Sequence, residues 1–104
     1  MVVRFVQSGG YAGLLKGCEL DTKTLQPEEA KTLEGLVEAS GLPAKGKFLS
    51  NSSRDLREYE IAIDDGKSKK SVVFDEETVP QSAKPLISYL EKRSKPMAPD
   101  QQIA

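Results

Sequence analysis

The chain has no histidine, no tryptophan, one cysteine, and only three phenylalanines and three tyrosines in 104 residues. Each shortage excludes something. Without histidine it lacks the commonest general base and the commonest zinc ligand together, which weakens most enzyme readings. A lone Cys18 cannot close an internal disulfide, so stability must come from packing, and the composition suits a reducing compartment. A formal net charge of −1 offers no general attraction to phosphate backbones or anionic lipid, so neither nucleic acid nor a membrane surface is an expected partner. No apolar run is long enough to span a bilayer, and the N-terminus lacks the pattern of a secretory signal, so the expected location is the cytoplasm. The length suits one domain with a single modest core.

What is present is organised around the first 22 residues, MVVRFVQSGGYAGLLKGCELDT. Val2 to Gln7 is β-branched and aromatic enough for a strand, and Leu14 to Leu20 reads as its antiparallel partner. Between them Ser8, Gly9, Gly10, Tyr11, Ala12 and Gly13 carry three of the eight glycines. Glycine reaches positive φ without a Cβ clash, so this cluster implies a sharp reversal or a backbone lying close to a ligand or partner.

Gln26-Pro27-Glu28-Glu29 has the proline and paired carboxylates of a helix start. Ala30, Leu33, Leu36 and Val37 continue at helical spacing, Gly41 offers a left-handed cap and Pro43 a stop, which predicts a helix over Pro27 to Ser40. A long polar connection from Pro43 to about Asp55 holds Phe48 and Leu49, which are expected to tuck into the core. Tyr59, Ile61 and Ile63 alternate with polar residues as a half-buried strand does. Asp65-Gly66 supplies a turn and Ser71 to Asp75 the returning strand, with Lys67, Lys69 and Lys70 as solvated charge at the tip. Ser82 is the expected N-cap of a second helix, with Pro85 in its first turn, Leu86, Ile87, Tyr89 and Leu90 on its apolar face, and Pro96 ending it. The order β-β-α-β-β-α predicts an α+β fold: a four-stranded, largely antiparallel sheet from two β-hairpins, packed with two helices. Residues 1–95 form the expected domain and 96–104 a flexible tail.

Chemical motifs are sparse. The glycine turn matches neither G-x-x-x-x-G-K-[ST] nor G-x-G-x-x-G. Lys16 has no hydroxyl beside it, and no helix follows to complete an anion site. Cys18 falls inside a strand with no activating histidine, so it reads as a packed thiol. Asp64-Asp65, Asp75-Glu76 and Glu28-Glu29 fall in turns or at a helix start, where adjacent carboxylates do not converge. No catalytic residue, cofactor or metal of its own is expected, which leaves a binding module.

The stretch V-x-F-x-x-S-G-G-Y-A-G-L from Val3 to Leu14, followed by Asp21-Thr22, resembles the opening of the emfourin family. The D-x-x-x-Y-x-I of Asp55, Tyr59 and Ile61, the V-x-F-D of Val72 to Asp75, Val79-Pro80 and the P-L-I-S-Y-L helix are similar to it as well, so the likeness extends to about residue 95. Tyr11 departs from the phenylalanine more usual there, which adds only a hydroxyl. The resemblance implies a protein inhibitor of thermolysin-like zinc metalloproteases of the protealysin type, working in bacterial cytoplasm and monomeric when free. Catalytic zinc keeps one position open, so such an inhibitor can bring a ligand to the metal or cover the cleft. In one arrangement the N-terminal amine of Met1 ligates the target's zinc, with Met1 or Val2 in the apolar pocket beyond the scissile bond. In the other, Ser8, Gly9, Gly10, Tyr11, Ala12, Gly13 and Leu14 lie in the cleft like substrate, with Tyr11 or Leu14 in a pocket. A strand from Val2 to Gln7 separates the two ends by on the order of 20 Å, so both cannot sit on the zinc. The alternatives are a phosphate or small-ligand module built on the glycine turn and a non-inhibitory interaction scaffold.

Overall fold

The computed structural model describes residues 1–9, 15–51 and 56–97. Its first strand, β1 (Val2–Gly9), lies inside the sheet rather than at its edge. Val3 and Phe5 are fully buried, as β-branched and aromatic side chains on a core-facing pleat should be. On one side β1 pairs antiparallel with β2 (Lys16–Asp21), in a register that sets Phe5 opposite Cys18. On its other side it pairs antiparallel with β4 (Arg57–Asp64), with Phe5 opposite Ile61. In β4 the predicted alternation is realised, since Tyr59, Ile61 and Ile63 are buried while the residues between them are partly exposed. β5 (Lys69–Asp75) follows through the Asp65-Gly66 turn and pairs antiparallel with β4.

The expected four-stranded sheet is overturned by two further strands. Among the described residues the sheet has six strands in the order β3-β5-β4-β1-β2-β6. β3 (Lys45–Phe48) pairs parallel with β5, which makes the sheet mixed. β6 (Lys95–Pro96) pairs antiparallel with β2. Both lie at edges, where half the backbone groups face solvent and apolar alternation is not required. Their cohesion comes from the ladder, as where Ser71 N–H donates to the Ala44 carbonyl at 3.0 Å. The predicted tail therefore begins with a residue paired to Lys16, and Met97 N–H donates to the Leu15 carbonyl at 3.0 Å. Residues 98–104 lie outside the described residues.

α1 (Pro27–Ser40) has the bounds its sequence signals predict and ends at Gly41 with φ 60°. A short 3₁₀ turn, Gln81–Ala83, runs directly into α2 (Lys84–Lys92) as one helical segment. Ser82 is not its N-cap. The Ser82 hydroxyl instead donates to the Ser40 carbonyl at 2.8 Å, satisfying one of the free acceptors at the end of α1 and tying the two helices together. Leu33 of α1 and Leu86 and Leu90 of α2 share one core with Val3, Phe5 and Ile61 of the sheet, all six fully buried.

The expectation for the 43–55 connection is also corrected. Phe48 and Leu49 stay 41% and 39% exposed, because the chain is committed to the outer edge of β5 there and helices do not cover them.

Candidate functional site

The residues singled out from the sequence fall at opposite ends of β1. Met1 and Val2 stand at one end, Ser8 and Gly9 at the other, and Gly10, Tyr11, Ala12, Gly13 and Leu14 lie outside the described residues. At an extended rise per residue, Met1 and Gly9 are about 25 Å apart.

The Met1 end is anchored. Its amine donates to Thr22 Oγ1 at 3.0 Å, and its carbonyl accepts from Thr22 N–H at 2.9 Å and from the Thr22 hydroxyl at 3.3 Å. The Met1 side chain packs against the core, so Asp21-Thr22 acts as a clasp on the start of β1. Val2 is half-buried, opposite Asp21 on one side and Asp64 on the other. In the neighbouring turn, the N–H groups of Ser68 at 2.7 Å and Lys67 at 2.9 Å bond the Asp65 carboxylate and hold its pKa below the usual range.

The glycine-turn end gathers more of the surface. Ser8 lies opposite Glu58 and Gly9 opposite Arg57. Gly9 has φ +83°, and a Cβ there would stand 2.8 Å from the Leu56 carbonyl oxygen, so the foot of the turn rests on the residue that leads into β4. At the same end β5 finishes at Asp75 and β3 at Phe48.

Asp75 is the residue at this end whose importance the sequence hid. It is 3% exposed. One carboxylate oxygen accepts from Ser50 N–H at 2.6 Å and the Ser50 hydroxyl at 2.8 Å; the other accepts from Glu77 N–H at 2.8 Å and Thr78 N–H at 3.0 Å. Burial alone would push its pKa up, but these donors outweigh it and hold the carboxyl below its ordinary value. Asp75 thus fastens the segment after β3 to the turn after β5. Aspartate followed by Glu76-Glu77-Thr78 carried only the signal of a local turn; the bond to Ser50 spans 25 residues and left no local trace.

Two further features lie beside β1. The Cys18 thiol, half-buried, donates to the Leu90 carbonyl at 3.6 Å, and burial raises its pKa, which disfavours the thiolate. On the sheet face away from the helices, an open depression of about 300 Å³ is lined by Arg4, Glu60, Asp64 and Lys69 among others, with both charge signs interspersed. Arg4 and Glu19 form an ion pair on that face. Among the described residues no group of three or more His, Cys, Asp or Glu could hold a metal ion, and no helix is long and apolar enough to cross a membrane.

Comparison with known proteins gives one finding. The model of the family described as Emfourin matches residues 5–91, which takes in most of β1, both helices and the strands between them. No curated protein and no solved structure matches the chain.

Proposed function

Since the chain belongs to the emfourin family, we propose that it is a non-enzymatic protein inhibitor of thermolysin-like zinc metalloproteases of the protealysin type, acting by occupying the active-site cleft. The family match across residues 5–91 carries this reading. In support, β1 is held on both flanks by antiparallel partners, so either of its ends reaches a partner without an ordering cost for the strand itself. A titration of a thermolysin-like protease with the folded protein, read with a peptide substrate, should show saturable loss of activity near one equivalent. Full activity in excess protein would refute the proposal.

For the zinc contact, the Met1 amine is the leading candidate. The clasp around Met1 fixes where its nitrogen stands, and an amine that gives up a proton on binding can ligate zinc. Extending the N-terminus by one or two residues should weaken inhibition tenfold or more; unchanged potency rejects the amine as ligand. The second reading, in which Ser8 to Leu14 enters the cleft, is favoured by the exposed Phe48 and Leu49 at the same end of the sheet. It predicts that a folded Tyr11→Ala, Leu14→Ala double variant loses tight inhibition, and retained inhibition removes it.

A further inference from the structure

Met1 is tied to one residue, Thr22, by three hydrogen bonds, and the Thr22 hydroxyl takes part in two of them. It accepts from the Met1 amine at 3.0 Å and donates to the Met1 carbonyl at 3.3 Å, so a single oxygen brackets the Met1 backbone. The Thr22 N–H donates to the same carbonyl at 2.9 Å.

The two kinds of bond do different things. The N–H bond extends the β1–β2 ladder one pair past Val2 and Asp21 and fixes the carbonyl. It leaves rotation about the Met1 Cα–C bond free. With an N–Cα length of about 1.46 Å, that rotation carries the nitrogen round a circle roughly 2.7 Å across. The Met1 side chain packs against the core, but its several rotatable bonds let it keep that contact while the nitrogen swings. The hydroxyl closes off this rotation. A zinc–nitrogen bond tolerates an error of about 0.2 Å, less than roughly a tenth of the sweep.

The hydroxyl is itself held. The Asp21 carbonyl accepts from the Thr24 N–H at 2.9 Å and from the Thr24 hydroxyl at 3.0 Å, so the turn that carries Thr22 is closed on the residue before it. Threonine is branched at Cβ and has a restricted χ1, which keeps its oxygen in place. The carboxylates flanking Val2 each bond an N–H of their own turn, Asp21 that of Lys23 at 3.0 Å and Asp64 that of Gly66 at 2.9 Å.

We propose that Thr22 is a positioning residue for the inhibitory zinc contact, its hydroxyl holding the Met1 nitrogen still enough to meet the target's metal; this rests on the reading in which the Met1 amine is the ligand. The ammonium form carries three hydrogens and no lone pair. On binding it releases one proton to solvent, the freed electron pair makes the bond to zinc, and one of the two remaining hydrogens stays on Thr22 Oγ1. Hydrogen bonds that orient a metal ligand from outside typically contribute about ten- to hundredfold in metal affinity.

The test uses a thermolysin-like protease whose zinc is exchanged for cobalt, so that a new nitrogen ligand is read from the visible cobalt bands as well as from inhibition. Wild type should perturb the bands as it inhibits. Thr22→Val, which keeps the shape and removes the hydroxyl, should inhibit at least tenfold more weakly, and Thr22→Ser, which keeps the hydroxyl, should restore most of the loss. Thermal melts establish folding, and Thr22→Ala is the second hydroxyl-free variant should valine not be accommodated. In the free protein, ¹³C relaxation should show the Met1 Cα more mobile without the hydroxyl than in wild type, while the β1 amides keep their exchange protection. Wild-type potency in a folded hydroxyl-free variant, unaltered Met1 mobility, or a loss that serine does not restore overturns the positioning role and leaves the inhibitor reading standing. A wild type that inhibits without perturbing the cobalt bands overturns the amine as ligand and this proposal with it. No inhibition by wild type overturns the inhibitor reading as well.

Discussion

Asp75 shows how a single side chain can organise a surface that local sequence does not reveal. Its carboxyl is held below the ordinary carboxylate value, near 4, by donors that require the charged form. Because the folded state lowers this pKa, the resulting stability is fully present above the unfolded value and is lost as pH falls through the folded one. Asp75→Asn should therefore melt below wild type at pH 7, and the gap should narrow in melts taken down to pH 2. Gln7 poses the opposite case. It is 9% exposed on the core side of β1, and its Oε1 has no hydrogen-bond partner among the described residues. A buried acceptor without a partner costs about 1–3 kcal/mol, so Gln7→Met, which keeps the length and removes the acceptor, should raise the denaturant midpoint by an equivalent of about 1 kcal/mol. In sequence Gln7 reads only as a polar break in the strand pattern. Its direction into the core follows from register, since it stands opposite Tyr59 and two positions beyond Phe5.

Elements with strong terminal signals were the legible ones. The first helix follows from Pro27, the Glu28-Glu29 pair and Gly41, and the strand around Ile61 from its alternation. β3 was illegible because Lys45-Gly46-Lys47 carries no apolar alternation and its strand character is imposed by the backbone of β5. Phe48 was expected inside for its side chain alone, whereas its place at the sheet edge decides its exposure. The two helices also differ in how firmly they are held. α1 fully buries only Leu33 and Ser40 along its 14 residues, whereas α2 buries Leu86, Ile87 and Leu90 within nine. Leu33→Ala should accordingly cost about 2–5 kcal/mol in chemical denaturation. In native-state hydrogen exchange, α1 amides should open before those of α2.

At the scale of the molecule, the two ends of β1 are the two proposed regions of contact, and they are separable. Their separation of about 25 Å is well beyond the range at which substitutions usually couple. Combining the N-terminal extension with Tyr11→Ala/Leu14→Ala should give a loss in log inhibition constant close to the sum of the separate losses; strong non-additivity would mean that the ends act as one unit. The glycine cluster marked one of these ends in the sequence and the family resemblance suggested the other, but the sheet joining them had to be seen whole, since its order sets β4 between β5 and β1. That order has a consequence for synthesis. β1 is synthesised before β4, yet its Val2 pairs with Asp64 and its Gly9 with Arg57. A hairpin of β1 and β2 alone is marginal in water, so the nascent chain must wait for β4 before its opening strand is secured. Both ends of β1 are thus secured only once β4 has been made.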